Sequence, residues 1–168
     1  MQKIETQRQL EENARMEREM LESIKLEEAK EIAEYYQRYG PLKDEFIEKV
    51  NLLSEKIKNG VINTAELKEL TIKRLDAARN YKEKLVQIGN VPEPLGTFFS
   101  YELEFIESDI KTVSLVLSYY NSEDYSNSNN SAIEKSYEDT RSLLLKAEEE
   151  LQRVYSQYEL EYLLEESS

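Results

Sequence analysis

The chain contains no histidine, cysteine or tryptophan, only four glycines and three prolines, and no apolar run of the 18 or so residues that a bilayer span requires. Each absence removes a class of chemistry. Without imidazole or thiol there is no His base, no Cys nucleophile, no Cys/His zinc site and no disulfide frame. So few glycines leave no phosphate-cradling loop, and neither GxxxxGK[ST] nor GxGxxG occurs. Di-iron carboxylate centres rest on Glu-x-x-His motifs and fall with histidine. The first 30 residues are too charged for a secretory signal.

What is present is charge and tyrosine. The 168 residues carry 22 basic and 35 acidic side chains, a net charge of −13, and include 12 Tyr against 4 Phe. This is one domain's worth of chain, long enough to bury about two thirds of its unfolded surface without a staple. The charge is uneven: −3 over residues 1–31, +2 over 32–90, −6 over 91–130 and −6 over 131–168. From Glu93 to Asp124 the only base is Lys111. Such a face repels duplex DNA and anionic lipid, whose binding rests on Lys and Arg, so no direct nucleic-acid contact is expected. It is either a solvated surface or a docking face for a basic partner.

Four segments step their apolar residues by three and four, as one buried helical stripe does. The first is Ile32, Tyr35, Tyr39, Leu42, Phe46, Val50, Leu53 and Ile57, in phase through Gly40-Pro41, which reads as a kinked helix or as a break restarted by proline. Asn59-Gly60 ends it, and Asn63 with Glu66 forms a capping-box pattern. The second stripe is Leu67, Leu70, Ala77, Tyr81, Leu85 and Ile88, with Arg74 where an apolar residue is due. Gly89-Asn90 closes it and Val91-Pro92-Glu93-Pro94 is an extended connector. The third is Phe99, Leu103, Ile106, Ile110, Val113, Leu117 and Tyr120; the fourth is Ile133, Tyr137, Thr140, Leu144, Ala147, Leu151, Val154 and Tyr158. Asn121 to Ser131, rich in Ser, Asn and Asp, reads as a mobile loop.

The pattern predicts an all-α chain: an antiparallel up-down four-helix bundle over residues 32–165, with helices at about 32–58, 64–88, 95–120 and 131–164. Residues 1–31 are helical by propensity with a thin apolar seam of Leu10, Ala14, Leu21 and Ile24. They read as a helical extension, a stalk, or half of a coiled coil with a partner or a second copy.

From about Tyr35 to Leu160 the layout resembles the helical-bundle domains of uncharacterised lipoproteins and surface proteins of Gram-positive bacteria. The carriers are Lys58-Asn59-Gly60-Val61-Ile62-Asn63, the Tyr-Lys-Glu-Lys-Leu run at 81–85, and Val91-Pro92-Glu93-Pro94 followed by two long helices. The resemblance implies a non-enzymatic domain held outside the membrane, with residues 1–31 as spacer. No lipobox cysteine is present. The expectation is therefore cytoplasmic if Met1 is the natural start, and extracytoplasmic and anchored if Met1 replaces a removed signal.

Candidate functional residues are few. Glu148-Glu149-Glu150 point around their helix and read as a solvated face rather than a cation site. Arg74 either anchors a bound carboxylate or phosphate, pairs with an acid on a neighbouring helix, or snorkels its guanidinium out at the stripe's edge. In an up-down bundle one pole gathers Tyr35, Tyr36, Tyr39, Tyr81, Phe98, Phe99, Tyr101, Tyr155, Tyr158 and Tyr162. Tyr35, Tyr36, Tyr39, Phe98, Tyr101, Tyr155, Tyr158 and Tyr162 are then a candidate partner-binding patch, with core packing as the alternative. No catalytic residue, cofactor or metal is expected. The preferred expectation is a non-catalytic domain that binds a protein partner with a basic or apolar face. The alternatives are an acidic nucleic-acid mimic that inhibits a basic enzyme, and a bundle that carries a small ligand between its helices.

Overall fold

The computed structural model describes residues 2–60, 63–122 and 127–165, with side chains from residue 5 in the first helix and from 129 in the fourth. It is all-helical: α1 (Gln2–Asn59), α2 (Thr64–Ile88), a 3-10 turn (Glu93–Leu95), α3 (Gly96–Ser122), α4 (Asn127–Gln157) and a short α5 (Tyr162–Glu165). No strand occurs among the described residues, and no helix is long and apolar enough to cross a membrane.

α1 is a single helix of 58 residues, about 87 Å long at 1.5 Å per residue. Its side chains from 5 to 27 are all exposed. Contact with the C-terminal segment begins near Glu28, whose carboxylate accepts a hydrogen bond from the Tyr158 hydroxyl at 2.5 Å. The helix runs unbroken through Gly40 and Pro41, although Pro41 lacks the N–H that would bond the Gln37 carbonyl. Packing carries the turn: Ile32, Tyr35, Tyr39 and Phe46, on both sides of it, are all buried in one core. An interior proline costs about 3 kcal/mol, partly offset by the stiffness it gives the unfolded chain. Pro41→Ala is therefore expected to stabilise the protein by about 2 kcal/mol. A urea midpoint that falls instead would show that the ring packs where alanine does not.

The α1–α2 turn is closed by the expected cap. Asn63 Oδ1 accepts from Glu66 N at 2.9 Å and Glu66 Oε2 accepts from Asn63 N at 3.2 Å. At the other end of α2, Gly89 has φ 59° and ψ −177°, a region essentially closed to residues with a Cβ. The last turn of α2 has no base of its own. Arg38 of α1 supplies one, donating to the Ile88 carbonyl at 3.1 Å.

α4 ends at Gln157, seven residues before the expected 164, with no glycine or proline to stop it. Glu159 takes the left-handed conformation (φ 58°), Leu160 N bonds Tyr155 O at 2.8 Å and Glu159 N bonds Ser156 O at 3.3 Å, the pair of bonds that defines a Schellman cap. The cause is hydrophobic. Leu160 and Leu163 are out of phase with the α4 stripe, and turning the chain buries both in the core with Tyr155. The polar stretch read as a loop is mostly helix: α3 continues to Ser122 and α4 starts at Asn127, with 123–126 outside the described residues. Extending a packed helix through residues of middling propensity costs little once it is nucleated.

α1 packs on α2, α2 on α3 and α3 on α4 along their lengths. Between α1 and α2, Phe46 stacks on Tyr81 at 4.7 Å and Glu45 accepts from Lys84 at 3.0 Å, while within α1 Glu45 also accepts from Lys49 at 2.7 Å. Those bonds, Lys49 first, hold the Glu45 carboxyl down at about 2. Its folded value lies below its ordinary 4.5, so the stability it adds is complete above that value and is lost as pH falls toward 2. Glu45→Gln is thus expected to be less stable than the parent at pH 7 and equal to it near pH 2, as read by urea unfolding across that range. Between α3 and α4 the contact is a ladder of small hydroxyls: Ser108 with Thr140 at 2.7 Å, Thr112 with Ser136 at 2.6 Å and with Thr140 at 3.1 Å.

Candidate functional site

The buried face of α3 is rotated about one residue from the expected stripe. Phe98, Glu102, Phe105, Ile106, Asp109, Thr112 and Val113 are buried, while Phe99, Leu103, Ile110, Leu117 and Tyr120 are half-buried. Two carboxylates therefore stand at the centre of the helix's inner face, and each must be compensated.

Glu102 is 1% exposed. The Tyr81 hydroxyl donates to its Oε1 at 2.6 Å, and Lys43 of α1 donates to the same oxygen. The Lys43 ammonium also sits 4.5 Å from the Phe105 ring centroid, an attractive contact with the ring face. Burial, reinforced by the Glu102 charge, pushes the hydroxyls of Tyr35, Tyr39 and Tyr81 well above the ordinary tyrosine range. They stay protonated near neutrality, and that of Tyr81 serves as a donor to Glu102 rather than as a base.

One helical turn pair further along, Arg74 of α2 reaches Asp109. Its Nη2 donates to Oδ1 at 2.7 Å, and the guanidinium lies 5.2 Å from the Phe46 ring centroid. Asp109 is 6% exposed. Burial pushes its carboxyl up and the Arg74 charge pulls it back. The contact is single-point: Arg74 Nη1 and Asp109 Oδ2 are both buried and have no hydrogen-bond partner. A missing buried hydrogen bond costs about 1–3 kcal/mol per group, so an orphaned donor and acceptor side by side is unusual.

This pair lies under a cleft. α1 and α4 are pinned at one end by Tyr36 against Tyr155 (5.7 Å, edge to face) and by the Tyr158–Glu28 bond. Elsewhere they do not pack along their lengths as the other neighbours do. The space left holds a cavity of about 330 Å³. Its walls are Phe46, Ile47 and Val50 of α1, Phe105 of α3, and Tyr137, Thr140 and Leu144 of α4, with Lys43, Arg74, Asp109 and the exposed Asn51, Arg141 and Glu148 also lining it. A second space of about 320 Å³, toward the α1–α2 turn, shares Val50, Arg74, Asp109 and Tyr137. An apolar hollow of this size with a few convergent polar groups is the usual form of a small-molecule site.

The expected partner-binding patch is placed differently. Tyr35, Tyr39, Phe98 and Tyr155 are buried in the core, Tyr36, Tyr101 and Tyr158 are half-buried, and only Tyr162 is exposed. The rings face one another: Tyr39 meets Phe98 edge to face at 5.2 Å and stacks with Tyr35 at 6.2 Å. The acidic stretch is also thinner at the surface than its composition implies. Of its seven acids, Glu102, Asp109 and Glu107 pair with Lys43, Arg74 and Lys82, and Glu123 and Asp124 lie outside the described residues. Glu150 binds Arg153 at 2.6 Å, and among the described residues no three carboxylates converge on a metal position. Sequence reasoning singled out Arg74 but missed Asp109 and the cleft. The signal was the sign change between residues 32–90 and 91–130, with Arg74 and Asp109 at inward-facing positions of facing helices.

No family model, no curated protein and no solved structure matches this chain.

Proposed function

We propose that the chain is a non-catalytic binding domain, an antiparallel four-helix bundle whose seam between α1 and α4 takes up a small amphipathic molecule. Opposed pairs support the bundle reading: 38 with 88 and 46 with 81, 81 with 102 and 74 with 109, 108 with 140 and 112 with 136, and 36 with 155. The observation that carries the functional reading is the cleft of about 330 Å³ between α1 and α4, lined mainly by apolar surface, with the Arg74–Asp109 ion pair in its lining. The packed aromatic pole and the internally paired acids give less to a protein-docking or nucleic-acid-mimic reading.

The test uses N-phenyl-1-naphthylamine, a neutral amphipathic probe whose fluorescence rises on leaving water. Saturable binding with one site per chain is expected, and Leu144→Trp, which fills the cleft from α4, should abolish it without lowering the unfolding midpoint. Absence of binding, or binding unchanged by Leu144→Trp, would overturn the reading.

A second reading, self-association through residues 1–31, is favoured by a separate observation. Leu10, Met16, Met20, Leu21, Ile24 and Leu26 are 46–75% exposed on the free arm of α1, and a lone helix arm gains little stability without a partner. Sedimentation equilibrium of the full chain should then show a dimer that Leu21→Glu with Ile24→Glu dissociates. A monomer at all concentrations would remove this reading.

A further inference from the structure

Two uncovered apolar faces belong to this one chain. On the free arm of α1, the exposed Leu10, Ala14, Leu21 and Ile24 share one face. Counted at about 100° per residue, that face points the same way as the core stripe of Ile32, Tyr35, Tyr39 and Phe46 further along the same helix. At the mouth of the cleft, Ile47 is 44% exposed, beside Val50 and Leu144. The lengths correspond. The arm, residues 2–27, is about 39 Å long, and the part of α1 in the bundle, residues 28–59, about 48 Å. Two α1 helices laid antiparallel over their full length therefore set each arm against the other copy's bundle.

That overlap sets Gln2 opposite Asn59, and a two-fold axis across the helix pair keeps both seams on the same side. Tyr36, against Tyr155, marks the flank of α1 that α4 occupies and fixes the level of the two helices; Arg38, bonded to Ile88, marks the α2 flank. On the α4 flank the second copy's arm runs parallel to α4 and lies over the cleft. The exposed charges of the cleft then meet opposites. Glu11 comes level with Val50 and, across the cleft, Arg141; Arg18, one turn pair further on, comes level with Glu148. Lys43, at the same level as Arg18, is turned inward onto Glu102. Arg18 gives one N–H to the Ala14 carbonyl of its own helix and keeps the rest of its fork. Arg15 comes within a turn of Asp44, and its pair inside the arm, Glu19 at 3.6 Å, is two-thirds exposed and competes weakly. Glu12, Glu19 and Glu48 stand at the outer edge of the contact, in water, where like charges cost little.

Resting on the second reading above, that residues 1–31 self-associate, we propose that the mouth of the cleft is covered by the arm of a second copy, antiparallel to α1, so that each of two chains roofs the other's cleft. The hollow of about 330 Å³ stays beneath the arm. Both arms and both clefts are covered at once, so the assembly closes at a dimer. A parallel coil of two arms alone sets Glu17 against Glu17 in its seam and leaves both clefts open.

The chain has no cysteine, so introduced thiols report position without background. Arg8→Cys with Asn51→Cys puts one thiol on the arm and one beside the cleft. On one straight helix these are about 65 Å apart, and a short bis-maleimide can join them only between copies. A covalent dimer is expected from that double variant and from neither single one. Ala14→Cys is expected to stay uncoupled, because the antiparallel arrangement holds its two copies about 50 Å apart. Sedimentation equilibrium reads the charge pairing: Arg18→Glu should raise the dimer dissociation constant about tenfold, since each dimer holds the pair twice, and adding Glu148→Arg should restore it. Coupling in Ala14→Cys but not in the double variant would overturn the proposal and leave self-association standing. So would a dimer in which neither couples, or a loss in Arg18→Glu that Glu148→Arg does not recover. A parent chain that is monomeric at all concentrations would instead remove the self-association reading on which the proposal rests.

Discussion

Phe98→Ala is expected to destabilise the protein by about 3–5 kcal/mol, the range for removing a large ring from a packed core. Phe98 is 1% exposed, meets Tyr39 edge to face and lies in the cluster that joins Tyr35, Tyr81, Leu95, Val154 and Tyr155. The cavity left there is enclosed by stiff rings that relax little, which places the cost toward the upper end. Tyr162, another residue of the expected aromatic patch but more than half exposed, provides the contrast. Tyr162→Ala should change stability by no more than about 0.5 kcal/mol. Urea unfolding of both variants checks the pair. A loss under about 1 kcal/mol for Phe98→Ala would mean that the aromatic pole is looser than its packing implies.

The second large effect is at Glu102. Glu102→Ala removes the buried acceptor of both Tyr81 and Lys43, leaving the Lys43 ammonium enclosed by Phe105 and Tyr81 without a counter-charge. Breaking one side of a buried pair costs about 3–5 kcal/mol. Removing both charges is different in kind. Lys43→Met with Glu102→Leu has no stranded ion, and its stability is expected within about 1 kcal/mol of the parent or above it. The double variant therefore recovers most of what the single one loses, and the urea midpoints of parent, single and double forms measure it. A double variant as unstable as Glu102→Ala would mean that the carboxylate acts through Tyr81 and the tyrosines around it, not through Lys43.

Much of the architecture was legible in the sequence because it rests on local signals. Gly89 at a backbone angle that a side chain forbids, the Asn63–Glu66 cap, and the in-phase stripe across Gly40-Pro41 each correspond to a feature of the structure. The misplaced faces of α3 and α4 have one physical origin. Apolar periodicity finds the edges of a stripe whose centre is polar, so α3 was assigned Phe99, Leu103 and Ile110 when its inner face is Phe98, Glu102, Phe105 and Asp109. In α4 the same rule preferred Tyr137 to Ser136, yet Tyr137 is exposed and Ser136 is buried in the hydroxyl ladder with Thr112. The end of α4 at Gln157 carried no turn residue at all and was set by where Leu160 and Leu163 find a core.

By itself, then, the sequence determined that the chain is helical, where its glycine-marked turns fall and which side-chain chemistries are absent, because these follow from composition and from interactions within a few residues. Tertiary structure decided the rest. Whether a tyrosine is a contact surface or a core, and whether a carboxylate is displayed or paired, depends on what stands opposite it on another helix. Arg74 and Asp109 are 35 residues apart in the chain, and only the fold makes them neighbours beneath an open seam.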